Sequence, residues 1–75
     1  MDTPPSPDAR VAGIVNRLIA DHGTTELVLA TQTGIPRTTL RRRLTGRSNF
    51  LLTELVAIAE FFGIAVSDLV VEVAA

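Results

Sequence analysis

The chain has 75 residues, 47% of them hydrophobic and 20% charged, with a formal net charge of −1. One domain at most fits that length, its apolar share is globular rather than disordered, and zero cysteines with one histidine exclude a disulfide framework, a thiolate metal site and a structural zinc. No apolar run nears the ~20 residues of a membrane span, and the start, MDTPPSPD, lacks the charge pattern of a signal peptide; the expectation is a small cytoplasmic domain that binds rather than catalyses, without cofactor, metal or evident small-molecule ligand.

Residues 1–6 hold two of the four prolines and no periodicity, so they read as a flexible N-terminal arm. A first helix starts at Ser6-Pro7-Asp8: Ser6 can cap, Pro7 suits the first helical position, and Asp8 favours the positive helix end. Val11, Ile14, Val15, Leu18 and Ile19 follow at helical spacing. Gly23 stops this helix, and His22 in its last turn reads as solvated. Thr24 or Thr25 caps a short second helix through Thr31, ended by Gly34. A third helix, with Pro36 in its first turn, runs to about Thr45 and stops at Gly46. Residues 47–50, RSNF, form a loop. The fourth helix spans about Leu51 to Phe62, with Leu52, Leu55, Ile58, Ala59 and Phe62 on one face, and Gly63 closes it. Ser67 and Asp68 start a last short helix or turn. The tail Leu69-Val70-Val71-Glu72-Val73 is β-branched and reads equally as a short C-terminal strand or an extended helix. The fold class is all-α: four to five short helices over residues 7–70, with 71–75 as a tail.

Charge is distributed unevenly along this frame. All seven bases are arginine, and five fall in one stretch: Arg37, Arg41, Arg42, Arg43 and Arg47. No acidic residue lies between Glu26 and Glu54, and every charge after Arg47 is acidic. A basic segment between acidic ones is the footprint of a polyanion partner.

The stretch from Glu26 to Thr45 also has a distinctive spacing. Ala30 is small, as two steeply crossing helices require; Gly34 supplies a turn tolerant of positive φ; Leu40 and Leu44 can pin the next helix inward. LATQTGIPRTTLRRRLTGRSNFLLTELVAIAEFFGIAVSDL resembles the Cro/CI-type (XRE-like, phage-repressor-like) helix-turn-helix domains. The likeness rests on Leu29-Ala30, Thr33-Gly34, Arg37-Thr38-Thr39-Leu40, Leu44-Thr45-Gly46, Phe62-Gly63-Ile64 and Ser67-Asp68-Leu69, in order and in register. It covers roughly residues 11–70. Three departures are Arg43, where members usually carry an aliphatic, Pro36, where they often have Ser or Thr, and Phe50 and Leu51, where a proline is common at the start of the fourth helix.

The resemblance implies a lambda-repressor-like bundle and a bacterial or phage regulator of transcription. That regulator would be nucleoid-associated and would occlude a promoter or operator of double-stranded DNA. It places base reading on Arg37, Thr38 and Arg42, with Arg41 close behind, on the helix that enters the major groove. Phosphate contacts are carried over to Thr25, Thr45, Arg47, Ser48 and Asn49, with Arg43 as an added clamp. Glu26 is left out, because a carboxylate is an odd neighbour for a phosphate. Rival readings are a DNA-binding antitoxin, an excision factor, or a protein-interaction module that kept the fold and lost DNA. Leu51, Val56 and Phe61 point away from the core face, and the tail adds Leu69, Val70, Val71 and Val73. That apolar surplus predicts a homodimer on a palindromic operator, with Phe61, Val70, Val71 and Val73 at its interface.

Overall fold

In the computed structural model, which describes residues 7–70, five helices follow one another along the chain. They are α1 (Pro7–Asp21), α2 (Glu26–Thr33), α3 (Arg37–Leu44), α4 (Leu52–Phe62) and α5 (Ser67–Val70). Among the described residues there is no strand. The expected strand-or-helix tail at 71–75, the arm at 1–6 and the Ser6 cap lie outside the described residues.

One side chain from each helix is fully enclosed: Val15, Leu29, Leu40, Ile58 and Leu69 each stand at 0% exposure. Around them pack Val11, Ala30, Ile35, Leu44, Leu55, Ala59 and Phe62, all apolar. Burial of this kind is the main favourable term in a chain so short. Packing pairs α2 with α3 and α4, and α1 with α3 and α5. Two apolar residues depart from expectation. Leu69, read as part of an exposed tail, lies in the core, because α5 folds back on α1. Leu52, read as core-facing, is 70% exposed: it opens α4, ahead of the turn in which Leu55 first faces inward.

Helix ends explain the boundaries. Thr25 caps α2, its hydroxyl oxygen accepting from the Val28 N–H at 3.2 Å. Gly34 ends α2 at φ 78°, a conformation costly for residues with a Cβ. After α3, the Gly46 N–H donates to the Arg43 carbonyl at 3.1 Å and the Arg47 N–H to the Arg42 carbonyl at 3.0 Å. This paired pattern is a Schellman motif, with Gly46 in the left-handed region. Pro36 stands one place earlier than expected, as the N-cap of α3, where its φ of −54° fits and no amide hydrogen is required. Leu51 caps α4 without an acceptor of its own, and Glu54 reaches back to take the Leu51 N–H at 2.9 Å.

Candidate nucleic-acid interface

The turn between α2 and α3 is Gly34-Ile35-Pro36. Ile35 is buried and anchors it. Thr33 stiffens it: its hydroxyl donates to the Leu29 carbonyl at 2.7 Å and accepts from the Ile35 N–H at 3.4 Å. Ala30, 6% exposed, lies on the buried side of α2, so only a methyl group stands there. The small-residue, glycine and aliphatic pattern read from the sequence thus meets in one packed corner.

Helical geometry then sorts the α3 side chains, since each residue turns by about 100°. Leu40 and Leu44 occupy the buried side. Arg42 falls opposite them, and Arg37, Thr38 and Arg42 are all exposed. Arg41 and Arg43 fall on the two flanks, and each flank carries an acid. Arg41 Nη2 lies 3.4 Å from Glu26 Oε1, at the start of α2. Arg43 Nε donates to Glu54 Oε1 at 2.9 Å and Nη2 to Oε2 at 3.2 Å, at the start of α4. Arg43 Nη1 donates to Ser48 Oγ at 2.7 Å.

The basic stretch is therefore less basic in space than along the chain, because the acids that bracket it in sequence close on it from both sides. Arg43, expected as a phosphate clamp, has all three guanidinium nitrogens engaged by Glu54 and Ser48, and its side chain is 17% exposed. Arg43 thereby ties α3 to the start of α4. Arg41, expected as a base reader close behind the others, has a side chain 63% exposed whose end is drawn to Glu26. Arg37, Arg42 and Arg47 have no ion pair among the described residues.

Burial pushes the Glu54 carboxyl up. Hydrogen bonds from Arg43 and from the Leu51 N–H, with the Arg43 charge, outweigh that and hold it below the ordinary carboxylate value. The same hydrogen bond raises Arg43 against desolvation, which acts to lower it.

The remaining phosphate candidates differ in what they can donate. Thr25 uses an oxygen lone pair to cap α2 and keeps its hydroxyl proton. Ser48 likewise accepts from Arg43 and keeps its proton. The Thr45 hydroxyl donates back to the Arg41 and Arg42 carbonyls at 2.9 and 3.1 Å, a contact it would exchange for one to a phosphate. Arg47 and Asn49 are exposed.

Three contributors were not read from the sequence. Glu26 and Glu54 have their only signal in their places, first in α2 and third in α4. Asn16 gives no signal. Its amide nitrogen donates to Ala12 O at 2.9 Å and Leu44 O at 3.0 Å, fastening the end of α3 to α1.

The expected dimer residues are divided. Phe61 and Val70 are half-buried against the core, and Phe61 meets Phe62 edge-on at 5.0 Å. Val71 and Val73 lie outside the described residues. His22 is exposed, as expected; its ring lies 4.8 Å from that of Phe62 and its Nδ1 3.0 Å from the Leu18 carbonyl.

Among the described residues no group of acidic, histidine or cysteine side chains could hold a metal. No helix among the described residues is long and apolar enough to cross a membrane. Residues 16–69 match the family model described as Helix-turn-helix. No curated protein and no solved structure matches the chain.

Proposed function

Since the chain belongs to the helix-turn-helix family of DNA-binding regulators, in its Cro/CI-type branch, we propose that it binds a specific operator in double-stranded DNA and represses transcription by occluding it. The observation that carries this reading is the outer face of α3. Thr38 and Arg42 stand exposed there and Arg37 in the exposed first turn, the two arginines without an acid among the described residues, on a helix pinned from behind by Leu40 and Leu44. Arginine can bond guanine O6 and N7 together, and threonine can bond a base edge or touch a thymine methyl. Arg47, Asn49, Ser48 and Thr25 serve the phosphates around that helix. Selection of bound sequences from random duplex DNA tests the reading: enrichment of one motif is expected, and binding without any enrichment overturns sequence specificity.

The operator is palindromic in this reading, and two copies bind it through the α4–α5 end and the tail. Support comes from Val56, 39% exposed, and from Phe61 and Val70, which leave part of their surface uncovered. A two-fold pair sets two recognition helices about 34 Å apart, one turn of DNA. It also doubles the phosphate contacts on which affinity depends.

A further inference from the structure

We propose that Glu26 is a specificity-determining residue, which holds Arg41 back from DNA and so suppresses binding to non-operator sequence. The inference rests on the DNA-binding reading above and concerns the same face. Glu26 is the first residue of α2, directly after the Thr25 cap, and Arg41 is the fifth residue of α3. Their contact brings a carboxylate to within 3.4 Å of a guanidinium on the flank of the exposed arginine face. Glu26 Oε1 is enclosed and has no hydrogen-bond partner, since Arg41 meets it as a charge without donor alignment.

A carboxylate so placed is a liability for a surface that binds a polyanion, and it contributes little to folding. An ion pair whose arginine is 63% exposed is worth at most about 1 kcal/mol. Its effect falls on DNA binding. Sequence-independent affinity comes from cations that reach phosphates, each adding roughly 0.9 to the slope of log affinity against log salt. A loosely bound protein samples many orientations on the duplex and gains from any free cation. A protein held in register by base contacts gains only where a phosphate lies within reach. Anchoring Arg41 therefore weakens random binding more than operator binding and widens the ratio between them.

Glu26→Gln keeps the shape of the side chain and removes its charge. On random duplex DNA, its affinity should rise severalfold and its salt slope steepen by about 0.9, while the operator-to-random ratio falls. Arg41→Ala should leave random binding by the otherwise native chain nearly unchanged, and should cancel the gain in the Glu26→Gln background. Arg41 is exposed, so this second arm reads out without disturbing the fold. Unchanged random affinity and slope in Glu26→Gln overturn the proposal. So does a loss on Arg41→Ala in the native background as large as that of Arg47→Ala, which would put Arg41 on DNA already. Absence of duplex binding by the native chain would overturn the DNA reading itself, a result separate from either of these.

Discussion

The Arg43 guanidinium and the Glu54 carboxylate join α3 to the first turn of α4 at two points, 2.9 and 3.2 Å long. The pair is mostly enclosed, with side chains 17% and 12% exposed. Glu54 serves α4 as well, since its Oε1 also takes the Leu51 N–H. One carboxylate thus fixes a helix start and the flank of the neighbouring helix.

Glu54→Gln should lower the melting temperature at neutral pH by a few degrees. The Glu54 carboxyl lies below its ordinary value, so its stabilisation is fully present above the unfolded value and is lost as pH falls through the lowered one. The difference between native chain and variant should therefore shrink on acidification. Urea midpoints across the acid range measure this directly, and a constant difference would contradict it.

Arg42 stands opposite Leu40 and Leu44. Arg42→Ala should cost about 1–3 kcal/mol on the selected operator and relax preference at one base pair. Equal weakening on operator and random duplex would reassign Arg42 to a phosphate.

Arg47 follows the glycine that ends α3, and its N–H is fixed on the Arg42 carbonyl. Arg47→Ala should weaken all duplexes alike and flatten the salt slope by roughly one unit. Titration between low and moderate salt measures it, and an unchanged slope removes Arg47 from the phosphate set.

Gly34 and Leu40 separate backbone from packing. A Cβ at Gly34 would meet nothing within 4 Å, so Gly34→Ala should cost only the left-handed strain, about 1–2 kcal/mol. Leu40, at 0% exposure, should cost about 2–5 kcal/mol on truncation to alanine. Thermal unfolding of both variants gives the comparison.

Dimerisation is tested by sedimentation at micromolar concentration. A species of twice 8.0 kDa is expected, reduced to one chain by Val71→Asp. A single-chain species unaffected by that change would end the idea.

The first four helices and their order were legible because each carries local punctuation: Thr25 before α2, and Gly23, Gly34, Gly46 and Gly63 after α1 to α4, the glycines all at positive φ. The inward residues of α3 followed from period alone. What escaped were contacts between residues far apart in sequence. Nothing local shows that Asn16 reaches Leu44, or that Glu54 neutralises Arg43 eleven positions earlier. Leu69 was misread because an apolar tail has the same pattern whether it folds back or stays exposed.

The division of α3 into a buried side and an outer side has a consequence for descent. Thr38 and Arg42 on the outer side, and Arg37 in the first turn, are exposed and outside the core, and surface exchanges away from caps and core usually shift stability by no more than about 0.5 kcal/mol. After a gene duplication, one copy can drift at these three positions while still folding at every step. In the DNA-binding reading proposed above, new operators are then reached through a series of viable intermediates, whereas an exchange at Arg43 would remove the contacts that tie α3 to α4.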